Sequence, residues 1–112
     1  IKLDINLLRV FKMNRSIIIS TLSQHHDLLQ EHGIERIGLF GSFVRGEQTE
    51  TSDIDLLVHF SKAKKSLHNL VSLGIELEKL FGRKVELVSS ESLSKYIGPH
   101  ILKEVQYASL NN

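Results

Sequence analysis

Asp53 and Asp55 stand two positions apart in SDIDLLVHF, leading into Leu56, Leu57 and Val58. In an extended chain residues i and i+2 face the same way, so both carboxylates project from one face of a strand. Carboxylates that close repel unless a cation or a proton lies between them. The chain has no cysteine and no paired histidines, and an all-oxygen donor set favours Mg²⁺ or Mn²⁺ over zinc. Glu86, in KVELVS, offers a third carboxylate. Upstream, GSFVRG places Gly41 and Ser42 at a turn leading into a helical turn, whose free backbone N–H groups suit an anion. Gly41 lets the backbone approach closely, Ser42 can donate its hydroxyl, and Arg45 lies one turn further on the same face. Carboxylates for a cation beside donors for phosphate describe a metal–nucleotide site.

The elements that must position these residues alternate between helix and strand. Asn14 or Ser16 caps a helix whose Ile18, Leu22, His25 and Leu29 share a face, and Gly33 ends it. IERIGLF reads as a first strand stopping at Gly41, SFVRGE as one helical turn, and QTETS as a polar loop. DIDLLVHF is the second strand. Ser66 caps a helix with Leu67, Leu70, Val71, Gly74, Leu77 and Phe81 along one core stripe, closed at Gly82. KVELVS is the third strand, followed by a turn and a final helix starting near Pro99.

This order implies an α/β (α+β) domain: a small mixed sheet of three to four strands flanked by helices. The link between the first two strands is short, so they run antiparallel. The helix between the second and third suits a right-handed parallel crossover. That topology gathers Gly41, Ser42, Asp53, Asp55 and Glu86 at one sheet edge. Residues 1–11 carry Leu3, Ile5, Leu7, Leu8, Val10 and Phe11, a pattern compatible with a strand, a helix or a dimer arm.

Bulk properties narrow the function classes. The 112 residues read as one domain, with a core over about 16–108 and an N-terminal extension over 1–13. A net charge of +1 argues against a nucleic-acid surface. No apolar run reaches the ~20 residues of a membrane span, and the N-terminal stretch lacks the pattern of a signal peptide. Absence of cysteine fits a reducing compartment, so the expected location is the cytoplasm.

The stretch GSFVRGEQTETSDIDLLV resembles the signature of the nucleotidyltransferase superfamily that includes DNA polymerase beta: Gly-Ser, ten residues, Asp-x-Asp. Size and the Arg45-Gly46 pair are most similar to its minimal nucleotidyltransferases, antitoxins often encoded beside a HEPN-domain toxin. The resemblance implies a polymerase beta-like fold and a catalyst that transfers AMP from ATP to a hydroxyl, such as a tyrosine of the partner toxin. It implies that Ser42 and Arg45 hold the β- and γ-phosphates, that Asp53 and Asp55 hold two Mg²⁺ ions, and that the third-strand carboxylate holds the catalytic one. This chain has Glu86 there, in VELV, where the family usually has Asp. One more methylene moves the carboxylate outward by ~1.5 Å, and misplacement on that scale can cost ~100-fold in rate.

Simpler readings stand beside these. Alternation along a half-exposed strand would put a charge at position 86 in any case. Gly46 serves equally as a turn glycine, and the lysines of KAKK, Lys62 to Lys65, read as a solvated loop. The six histidines show no metal-ligand spacing. Glu86 also keeps open a non-catalytic module that neutralises its partner by occlusion. A stand-alone transferase acting on a small molecule or an RNA end is a third reading. Homodimer and hetero-oligomer are both compatible with the sequence.

Overall fold

The computed structural model describes residues 13–111, so the reading of an N-terminal extension over 1–13 lies almost wholly outside the described residues. Helix α1 spans Arg15–Gln24 and α2 spans His26–Glu31. Asn14 caps α1 by accepting from the Ile17 amide at 2.9 Å. The single helix expected here is broken at His25, whose φ of −104° and ψ of 31° leave the helical region. The His25 amide still donates to the carbonyls of Thr21 and Leu22, so the chain bends without losing a hydrogen bond.

Strand β1 (Ile34–Phe40) is followed by a one-turn helix α3 (Ser42–Arg45), the 49–52 loop and β2 (Ile54–Phe60). Helix α4 (Leu67–Phe81), capped by Ser66 accepting from the Asn69 amide, leads to β3 (Val85–Ser89). Helix α5 (Gly98–Glu104) then delivers a two-residue strand, β4 (Gln106–Tyr107). The sheet order is β3-β2-β1-β4, with β1 antiparallel to β2 and β4, and β2 parallel to β3. The antiparallel and parallel pairings match the expectation. The fourth strand falls inside the run expected to continue as helix, because the chain leaves α5 at Val105 to pair with β1.

Alternation along β2 separates two environments. Ile54, Leu56 and Val58 join Ile37 and Leu39 of β1 in a core closed by Ile18, Leu22, Leu29, Leu73, Leu77 and Phe81. Burial of each such side chain stabilises the fold by ~1.5–3 kcal/mol. Asp55, Leu57 and His59 face the other side. The core stripe of α4 differs from the expected one: Leu67 and Val71, expected on it, are exposed, as is Ile75, while Leu73, not expected on it, is buried. Two positions along a helix turn the side chain through about 200°, so Val71 and Ile75 stand opposite Leu73 and Leu77, which take the sheet.

Candidate active site

Asp55 sits in the middle of the sheet, opposite Phe40 of β1 on one side and Glu86 of β3 on the other. Register neighbours share a face, so the carboxylates of Asp55 and Glu86 stand side by side. Gly41 closes this corner from above with a φ of 82°, a conformation that favours glycine. A Cβ at Gly41 would collide with the Asp55 carboxylate. Burial pushes the Asp55 carboxyl up to about 6; the charges of Glu86, Asp53 and Glu104 add to the rise, and Arg45 opposes it. Asp55 thus lies within electrostatic reach of several carboxylates.

Asp53 precedes β2 and lies 3.8 Å from the Lys84 ammonium. Its loop is tied down by Arg83, whose Nη1 donates to the carbonyls of Thr49 at 3.2 Å and Ser52 at 2.9 Å. The same guanidinium lies 5.3 Å from the ring centre of Phe43, the buried residue of α3. Arg83 thus links the loop carrying Asp53 to the turn carrying Ser42. In α3 the amides of Val44 and Arg45 both donate to the Gly41 carbonyl. The first amides of such a turn, Ser42 and Phe43, have no acceptor within it.

Oxygen-only donors on a charged, half-buried corner fit a hard divalent cation such as Mg²⁺. Beyond burial, part of the rise at Asp55 comes from its acidic neighbours, and such a cation would relieve that part. Among the described residues no three His, Asp or Glu side chains already stand in metal-holding geometry. Asp55 and Glu86 are paired by register, whereas the nearest cation to Asp53 is Lys84.

A family model described as nucleotidyltransferase domain matches residues 22–108. The chain belongs to that family. Its sequence is similar to the protein adenylyltransferase MntA of Thermococcus cleftensis, 44% identical over 91 residues, covering 80% of this chain and 91% of the relative. Its fold is similar to a solved structure provisionally named a minimal nucleotidyltransferase, with a TM-score of 0.68 and 33% identity over 86% of this chain and 97% of that one. A further similar fold is found in the structure of a tri-AMPylated HEPN toxin of Shewanella oneidensis in complex with an MNT antitoxin. There the TM-score is 0.59 and the identity 20%, over 79% of this chain and 68% of that one. The chain is a nucleotidyltransferase of the minimal type, with the polymerase beta-like fold that its Gly-Ser and Asp-x-Asp motifs imply.

In this nucleotidyltransferase two site neighbours escaped the sequence reading. Arg83 is one. Glu104 is the other: its carboxylate accepts from the Gly41 amide at 3.1 Å and from Nη1 of Arg45 at 3.1 and 3.0 Å. Glu47 takes the Nε of Arg45 at 3.1 Å. The hydrogen bond that Arg45 donates to Glu104, and the charge of that carboxylate, raise the guanidinium above its ordinary value, and Glu47 adds to this. A signal for Glu104 was present. An acidic residue in the last turn of a helix opposes the macrodipole, so a cation outside the helix must favour it.

Proposed function

We propose that this chain is an AMP-transferring antitoxin: it moves AMP from ATP to a hydroxyl, a tyrosine of a HEPN-type toxin, in the cytoplasm. The observation that carries this is the Asp55–Glu86 pair set against Gly41, with Ser42 and Arg45 on the turn that follows Gly41. The relative named protein adenylyltransferase and the fold shared with a chain from an AMPylated-toxin complex support the reaction and the partner.

In this reading Asp53, Asp55 and Glu86 hold Mg²⁺. Divalent cations, when bound, lower the acceptor hydroxyl's pKa and neutralise the triphosphate. Ser42 and Arg45 hold the β- and γ-phosphates, fixing the α-phosphorus over Asp55. The acceptor oxygen gives up its proton to solvent at the open, Glu86 side of the site and attacks that phosphorus in line. A new oxygen–phosphorus bond forms, the bond to the α,β-bridging oxygen breaks, and pyrophosphate leaves. No net oxidation occurs. The edge position of Glu86 leaves the acceptor side open, which suits a protein hydroxyl better than an enclosed small molecule.

A second reading, partner occlusion without transfer, is favoured by one observation: Glu86 stands, exposed on the edge strand, where the resembled family usually has Asp. Co-expression with the HEPN-type partner and mass spectrometry of that partner separates the two. AMP added to a partner tyrosine is the expected result. A neutralised partner with no added mass, in the presence of ATP and Mg²⁺, overturns the transfer reading and supports occlusion.

A further inference from the structure

We propose that Glu104 is a positioning residue of the triphosphate subsite, holding Arg45 and the Gly-Ser turn in binding geometry; the inference rests on reading Ser42 and Arg45 as phosphate donors. Glu104 reaches across 63 residues of sequence to Gly41 and 59 to Arg45, joining the C-terminal part of the sheet to the motif. Its side chain is 24% exposed, against 48% for Arg45 and 62% for Glu47. The shielded carboxylate therefore holds the guanidinium more firmly than the solvated one does. A long arginine side chain fixed before its ligand arrives loses less freedom on binding.

The alternative role for a carboxylate on phosphate donors is that of an internal anion, which the triphosphate would have to displace. The backbone argues against departure. Val105 packs where Gly38 has no Cβ, and a Cβ there would collide with it. Gln106 and Tyr107 pair with Leu39 and Gly38, and the Ala108 amide donates to the Ile37 carbonyl at 2.9 Å. Glu104 is one peptide from that anchored segment. Its position also leaves donors free. Gly41's amide lies ahead of the helical turn, so the amides of Ser42 and Phe43 and the Ser42 hydroxyl stay available to phosphate. Glu104 thus anchors one end of the subsite without filling it.

The test is calorimetric titration of the full chain with ATP and with AMP in Mg²⁺, for wild type, Glu104→Gln, Glu104→Ala, Arg45→Ala and Arg45→Ala/Glu104→Gln. Glu104→Gln keeps the side chain's shape and removes its charge, and Glu104→Ala repeats the test without a new donor. Both are expected to weaken ATP roughly tenfold while AMP, which lacks the β- and γ-phosphates, changes less than about twofold. In the Arg45→Ala background Glu104→Gln is expected to add little, because both changes remove the same anchored group. Unchanged ATP affinity in both Glu104 variants overturns the proposal. Equal losses for ATP and AMP overturn it in favour of a merely structural role, and tighter ATP binding overturns it in favour of a competing anion. An Arg45→Ala chain that binds ATP like wild type sinks the underlying assignment of phosphate donors instead, and that result is read without any Glu104 variant.

Discussion

The face of the sheet opposite the main core carries two polar clusters, one at each end of β2, and they are built on opposite principles. At the far end His59 Nε2 meets the Tyr107 hydroxyl at 2.9 Å, with the Arg36 guanidinium 3.7 Å from the centre of the same ring. Every group there has a complementary neighbour. At the near end Asp55 has Glu86 in register and feels the charges of Asp53 and Glu104. Like charges face one another there, and among the described residues Arg45 opposes the rise at Asp55 without cancelling it. Leu57, wholly buried, lies between the two on the same strand face. The satisfied end acts as structure, and the unresolved end is where a ligand is needed.

The largest expected effect breaks the unresolved end. Asp53→Asn with Asp55→Asn should lower AMP transfer at least ~100-fold while circular dichroism shows a retained fold. A double variant that transfers at the wild-type rate would remove both residues from the site. Next comes Glu86. Glu86→Gln should lower the transfer rate by roughly the same order with ATP affinity within about twofold, while Glu86→Asp should keep or raise the rate. Calorimetry paired with a rate assay checks the split, and a Glu86→Gln chain with a normal rate would return that residue to ordinary strand alternation.

The two clusters should also respond to pH with opposite signs. Asp55's carboxyl is raised to about 6 in the folded chain, so between pH ~4 and ~6 the folded state binds more protons than the unfolded one. Its contribution favours folding at low pH and is lost as pH rises through 6. Asp55→Asn should therefore raise the stability of the metal-free chain at pH 7.5 by about 1–2 kcal/mol, with the gain gone by pH 4. Thermal or urea melts across that range check it, and a variant less stable than wild type at pH 7.5 would show that the crowding is already relieved. Burial, with the charge of Arg36, lowers the His59 imidazole below its ordinary value. Its contribution is full above the unfolded pKa of ~6.5 and falls below it, the reverse of Asp55.

The smallest effect belongs to the satisfied end. Tyr107→Phe removes one hydrogen bond and should cost about 1 kcal/mol with transfer unchanged. A large loss of transfer would show the two ends to be coupled through β4.

Much of the near end was legible because its chemistry is written in short-range spacing. Asp-x-Asp leads into β2 and puts Asp55 on it, although Asp53 itself stands just before the strand, and Gly-Ser does precede a helical turn. The parallel pairing that brings Glu86 beside Asp55 followed from the length of the intervening helix. What stayed hidden depends on contacts at long separation. A two-residue strand is too short to show a period, so β4 could be found only through its partner Gly38, whose missing side chain makes room for Val105. The break at His25 left no mark, because no Gly or Pro stands there and the apolar stripe of Ile18, Leu22 and Leu29 runs on across it. Arg83 could not be assigned because its acceptors are backbone carbonyls, which no side-chain pattern reports.

The hydrogen bond between Gly41 and Glu104 also sets an order in time. During synthesis the ribosome must add 63 residues after Gly41 before its carboxylate partner exists. At ~5–20 residues per second that is roughly three to twelve seconds. Asp53 and Asp55 emerge early in this interval, Glu86 well past its midpoint, and the clamp on Arg45 last. A nascent chain thus carries its motif well before the contact that braces it, and the site becomes whole only as the edge strand beside β1 is laid down.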